Sequence, residues 1–153
     1  MPAASEQLER SPSLMIGIVL VGHCRLADEL CRIVKNIVGD IDNMCPVNFE
    51  PEEAPDDSMK KVAAAILRVD KGKGVLVLTD MFGGTPSNMS LSFLEEGKVE
   101  VLTGVNLPML IRLITLRSNG GKLSELASEL KAYGQKNICI ASELLQQQKQ
   151  SGQ

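Results

Sequence analysis

At 153 residues the chain is long enough for one domain with a real core and too short for two comfortable ones. A net charge of −3, a pI near 5.2 and scattered basic residues that do not interleave with aromatics argue against nucleic acid or an anionic membrane as partner. With 3% aromatic residues against 44% hydrophobic, the core has to be aliphatic.

Residues 1–14 are polar, contain two prolines and lack periodicity, which predicts a disordered extension. The domain is expected over 15–145 and a flexible glutamine-rich tail over 146–153; the pattern starting at Met15 makes that residue a candidate translation start. Met15–Val21 reads as a continuous apolar strand buried on both faces. The apolar run Leu14–Val21 is eight residues, too short to span a bilayer, and reads as a strand instead of a lipoprotein signal.

The first helix is predicted from about Arg25 to Val38, with Leu26, Leu30, Ile33, Val34, Ile37 and Val38 as its apolar stripe and Gly39 as its stop. Cys45–Phe49 is a short strand confined to a sheet edge, because Pro46 cannot donate to a ladder. After an acidic loop, Asp57 or Ser58 can cap a second helix with Met59, Val62, Ala63, Ile66 and Leu67 on one face. Strands follow at Val75–Thr79 and about Val99–Thr103, with a helix after Pro86 that stops near Gly97 and further helices from about Pro108 to Arg117 and from Leu123 to Tyr133. Asn137–Ala141 reads as a last short strand. The alternation predicts an α/β doubly wound, mainly parallel sheet of order 2-1-3-4 plus that short C-terminal strand, with helices on both faces.

Two strand-end segments carry the chemistry. His23, the only histidine, follows Gly22 where the first strand ends. Asp80-Met-Phe-Gly-Gly-Thr-Pro-Ser-Asn88 follows the third strand. In a parallel sheet both emerge at the carboxyl edge, and with strands one and three adjacent they face each other at a topological switch point. An aspartate accepting one ring N–H fixes the tautomer and leaves the other nitrogen's lone pair for attack. Gly83 and Gly84 can take positive φ and turn N–H groups toward an anion. Thr85 suits the N-cap and Pro86 the first turn of a helix aimed at the same place. Taken singly, His23 and Asp80 read as structural residues, and Gly83, Gly84 and Thr85 as an ordinary turn and cap.

The chain lacks a Walker motif, a G-x-G-x-x-G and a metal-ligand spacing, so no cofactor or metal is expected. Cys24, Cys31, Cys45 and Cys139 show no C-x-x-C pairing, which points to neither zinc nor thioredoxin-like chemistry. A reducing, cytoplasmic setting is the expectation.

Three segments together resemble the IIA component of the mannose family of the bacterial phosphoenolpyruvate-dependent sugar phosphotransferase system. They are Gly22-His23 with the following Arg25-Leu-Ala-Asp-Glu-Leu30, Asp80-x-x-Gly-Gly-Thr-Pro-x-Asn88, and Gly104-Val-Asn-Leu-Pro-Met-Leu110, within a match over about Met15–Leu144. The resemblance implies that His23 accepts a phosphoryl group from the phosphocarrier HPr, favouring Nε2, and passes it to a histidine of a IIB partner. It further implies that Asp80 orients His23, and that membrane IIC and IID subunits are served indirectly. It implies a homodimer in which a C-terminal strand, matched by Asn137–Ala141, pairs with the neighbour's sheet. Two departures stand out: Cys24 occupies a position where many relatives have glycine, and no IIB domain follows, so a stand-alone component is expected.

Asn106 and Pro108, on the loop after the fourth strand, either shape that loop or dock a partner. Met81 and Phe82 either tuck inward or offer an apolar contact to HPr or IIB. Two other readings compete with a transport phosphocarrier. In one, the phosphorylation state of His23 is a signal read by another protein. In the other, Cys24 is a thiol nucleophile with His23 as its base, which adjacent side chains on a sharp loop disfavour.

Overall fold

The computed structural model describes residues 14–152; the predicted extension up to Ser13 lies outside them. Four parallel strands form one sheet: β1 (Gly17–His23), β2 (Met44–Phe49), β3 (Val75–Thr79) and β4 (Val99–Thr103), in the order β2-β1-β3-β4. β1 pairs with β2 from Ile18↔Met44 to His23↔Phe49, and with β3 from Gly17↔Val75 to Val21↔Thr79. The two central strands hold the apolar runs, and residues 17–22 and 75–79 are all buried. Pro46 sits, as its missing N–H requires, on the edge strand β2.

Period-two alternation sends β1 and β3 side chains to two cores. Ile18, Leu20, Leu76 and Leu78 pack with residues of three helices, α1 (Leu26–Val38), α4 (Leu107–Ser118) and α5 (Leu123–Lys136). On the other face Val19, Val21, Val75 and Val77 pack with Val62, Ala65, Ile66 and Val69 of α2 (Pro55–Val69), joined by Met89 of α3 (Thr85–Leu91). This is the doubly wound arrangement the alternation predicts.

Several local expectations are corrected. His23 is the last residue of β1, not a loop residue, because β2 keeps pairing with the strand to its end and Cys24 N–H donates to the Phe49 carbonyl at 2.9 Å. The α1 stripe is turned: Ala27 and Val34 are buried, Leu30 and Cys31 pack against the same core, and Leu26, Ile37 and Val38 are exposed. α2 begins at Pro55, and neither Asp57 nor Ser58 caps it; the buried Ser58 hydroxyl donates to Glu53 Oε2 at 2.7 Å instead. Leu67, placed on the apolar face by its spacing, is exposed. α3 is short and ends at Leu91, well before Gly97.

The short C-terminal strand does not form within this chain. α5 runs on to Lys136, Asn137 ends it, and after Ile140 a further helix, α6 (Ala141–Ser151), takes in most of the tail read as flexible. A strand needs a neighbour to receive its hydrogen bonds, and residues 137–140 join no ladder of the four-stranded sheet. α6 buries none of its residues. The four cysteines are free, and no described helix is long and apolar enough to cross a membrane.

Candidate functional site

The register Val21↔Thr79 brings the carboxyl ends of β1 and β3 side by side, so His23 and Asp80 meet although 57 residues separate them. Asp80 Oδ2 lies 2.7 Å from His23 Nδ1 and also accepts the His23 backbone N–H at 2.9 Å. Asp80 Oδ1 accepts the Met81 N–H at 2.8 Å. One carboxylate therefore holds the ring, the strand end that carries it, and its own loop.

Burial opposes ionisation of Asp80, but hydrogen bonds from the His23 backbone, the His23 ring and the Met81 backbone outweigh it, and the carboxyl ionises below its ordinary range. An ionised carboxylate only accepts, so the short contact makes Nδ1 the protonated nitrogen of the neutral ring and leaves the lone pair on Nε2. The His23 side chain keeps 46% of its accessible surface, whereas Asp80 keeps 11%. The imidazole faces solvent and the carboxylate that holds it is shielded.

Gly83, Gly84 and Thr85 lie on this loop, with two differences from expectation. Gly83 has φ of +81°, the left-handed value a glycine accommodates. Gly84 has φ of −78° and ψ of 163°, an extended conformation open to any residue. Gly84, not Thr85, is the N-cap of α3; Thr85 is the first helical residue, exposed, followed by Pro86. Among the described residues the N–H groups of Gly84 and Thr85 donate to no acceptor. Asn88, which spacing alone does not mark as a site residue, donates from Nδ2 to the Gly83 carbonyl at 3.4 Å and helps shape the loop. The signal available for it is its fixed place in Gly-Gly-Thr-Pro-x-Asn.

The other candidates divide clearly. Asn106 shapes its loop, since its Oδ1 accepts Met109 N–H at 3.0 Å as the cap of α4 and its Nδ2 donates to the Gly134 carbonyl at 3.2 Å. Pro108 follows in the first turn of α4. Met81 and Phe82 do not tuck in; they are 55% and 73% exposed at the loop tip. Cys24 is exposed and takes φ of +49°, a left-handed conformation that strains a residue bearing Cβ. Among the described residues no cluster of His, Cys, Asp or Glu is arranged to hold a metal.

An open parallel sheet with a carboxylate-held histidine at its carboxyl edge defines an α/β protein with its candidate site at the topological switch point. Comparison with known proteins names the family. Residues 17–131 match the EIIA-man family, described as PTS system fructose IIA component. The chain is 32% identical over 140 residues to the fructose-specific EIIA component of Bacillus subtilis (strain 168), covering 91% of this chain and 95% of that protein. It is 34% identical over 114 residues to the sorbose-specific EIIA component of Lacticaseibacillus casei, covering 74% and 81%. The fold superposes on the phosphotransferase system component EIIA of Streptococcus agalactiae with a TM-score of 0.77 and 26% identity, covering 84% of this chain and 99% of that one. The chain belongs to the EIIA-man family, the IIA components of the sugar phosphotransferase system.

Proposed function

We propose that this protein is a cytoplasmic phosphocarrier that takes a phosphoryl group from phospho-HPr onto His23 Nε2 and gives it to a histidine of a IIB protein, serving membrane IIC and IID subunits only through that partner. The observation that carries the reading is the 2.7 Å contact of His23 Nδ1 with Asp80, found in a chain of the IIA family.

In the forward step the Nε2 lone pair attacks phosphorus in line, the new N–P bond forms as the donor's N–P bond breaks, and the donor imidazole leaves with that electron pair. The proton on Nδ1 stays where it is. As the phosphorylated ring gains positive character, the Asp80 carboxylate stabilises it, and the same contact holds the ring in place during transfer. The unpartnered N–H groups of Gly84 and Thr85 and the Thr85 hydroxyl are the donors assigned to the phosphoryl oxygens, with Gly83 supplying the turn that presents them. α3 has only seven residues, so these local donors and not a long helix dipole carry that part of the reading. Transfer back out, to IIB, is the same displacement in reverse. Exposed Met81 and Phe82 beside the nucleophile supply an apolar contact for either protein.

The protein is further read as a homodimer. β4 has β3 on one side, and beyond the single Glu95–Val99 bridge its other edge pairs with no strand among the described residues. Ile138 and Ile140 are 78% and 61% exposed on a segment that joins no ladder in its own chain. Sedimentation equilibrium of the full chain should give twice the monomer mass, and a monomer at every concentration would refute dimerisation.

The test of the transfer function is incubation with phosphoenolpyruvate, Enzyme I and HPr. One phosphoryl group, labile in acid and stable in base, should appear on the protein and be absent from His23→Ala. Label that remains in that variant would refute His23 as the acceptor.

A further inference from the structure

We propose that Gly84 is a positioning residue: the bare face of its Cα is the seat on which the His23 imidazole rests, and it keeps the space beside Nε2 clear. This deepens, and for its kinetic consequence rests on, the reading of His23 as a phosphoryl acceptor.

Two adjacent glycines on the loop do opposite jobs. At Gly83 the backbone has φ of +81°, and an added Cβ would meet nothing within 4 Å. Glycine is there for conformation alone. At Gly84 the backbone is ordinary, with φ of −78° and ψ of 163°, so conformation gives no reason for glycine. Space does: a Cβ would stand 2.9 Å from His23 Cε1, 3.4 Å from His23 Nε2 and 3.3 Å from Met81 Cγ.

What decides the matter is which neighbour can yield. The Met81 side chain is unbranched, ends in the open and can swing away. The imidazole is anchored, with Nδ1 held by Asp80 Oδ2 at 2.7 Å and its own backbone N–H held by the same oxygen at 2.9 Å. Relieving a contact at Cε1 means turning the ring, and turning the ring carries Nδ1 off the carboxylate. A methyl group at 84 would also fill volume next to Nε2, where the incoming phosphoryl group has to fit. Asp80 thus holds the ring from the Nδ1 side while Gly84 supports its Cε1–Nε2 edge, and both together fix the direction of the nucleophile.

The test separates this role from a general loop defect. In wild-type protein the imidazole nitrogen-15 shifts should report a single tautomer with the proton on Nδ1. Gly84→Ala should lose that fixed tautomer and take up the phosphoryl group on the order of a hundredfold more slowly, the scale of a displaced reacting group. Adding Met81→Ala should not restore either property, and the cost of Gly83→Ala, which comes from its positive φ, should be the same with and without His23. In urea titrations the destabilisation caused by Gly84→Ala should vanish when His23 is already alanine, since the pair then has nothing to clash. If Gly84→Ala does not fold, folding of His23→Ala/Gly84→Ala supports the proposal and failure of both overturns it. A wild-type imidazole spectrum in Gly84→Ala, rescue by Met81→Ala, or an equal stability cost with and without His23 would also overturn it. The spectra and the urea cycle need no phosphoryl donor, so they decide the role of Gly84 even if wild-type protein takes up no phosphoryl group.

Discussion

The two ends of the parallel sheet are built on contrary lines. At the amino end, Arg117 of α4 is 7% exposed and its guanidinium donates to the carbonyls of Ile16 (3.4 Å), Asn43 (3.3 Å) and Asp42 (2.6 Å). Burial pushes that guanidinium below its ordinary pKa, with the charge of Asp42 opposing, yet the group stays cationic and closes the entry to β1 and β2. At the carboxyl end, a single shielded carboxylate organises an exposed histidine and an open loop. One end uses hydrogen bonds to lock the fold; the other uses them to aim one nitrogen. Substitution of Arg117 at the amino end should therefore change stability and spare transfer, and substitution of Asp80 at the carboxyl end should mainly slow transfer.

The largest effect is expected at the locked end. Arg117→Met keeps much of the apolar bulk but takes the guanidinium donor from the buried Ile16 carbonyl and the partly buried carbonyls of Asp42 and Asn43, at a cost of about 3 kcal/mol. Urea unfolding measures it, and the folded protein should still accept a phosphoryl group at the wild-type rate; a slowed rate would mean the two ends are coupled. Next, Asp80→Ala should slow phosphorylation on the order of a hundredfold, as a lost orienting and charge-stabilising group does, with a much smaller loss of stability. An unchanged rate would take Asp80 out of the mechanism.

The pH dependence sharpens the same contrast. Asp80 ionises lower in the folded chain than its ordinary value of 3.8, so its contribution is present above that pH. It is lost as pH falls through the depressed folded value. Urea unfolding followed against pH should therefore find Asp80→Asn less stable than wild type near neutrality, with the difference shrinking as pH falls through that depressed value. The smallest effect belongs to Cys24. Replacing it with glycine removes the left-handed strain at φ of +49° but adds freedom to the unfolded chain, for a net gain of about 0.5 kcal/mol. Phosphorylation should persist in that variant; its loss would bring back a thiol role.

Legibility in the sequence followed the same physical division. β3 and β4 were readable to the residue because each is a short apolar or alternating run between turn signals. The edge position of β2 was readable from Pro46 alone. The buried face of α1 was readable in part: Leu30 and Val34 of the expected stripe pack on the core, but Ala27 and Cys31 join them while Leu26 and Ile37 are exposed. Spacing defines a stripe, but packing against the sheet and α4 sets which edge of it is covered. The start of α2 is hidden for another reason: Ser58, a good cap in isolation, spends its hydroxyl on Glu53. Residues 137–140 look like a strand from composition, and composition cannot supply the neighbour a strand requires.

By itself the sequence determined a lone histidine and an aspartate loop at the ends of two buried strands, and with them the edge of the sheet on which the candidate site lies. Hydrophobic periodicity and glycine placement are local properties, and they suffice for that. Only the tertiary structure decided that one oxygen of Asp80 holds both the ring and the backbone of His23, and that Gly84 is small for the sake of the ring, not the turn. Those contacts join residues 57 and more positions apart, and their geometry is set by strand register and loop conformation to within a fraction of an ångström, which no local pattern encodes.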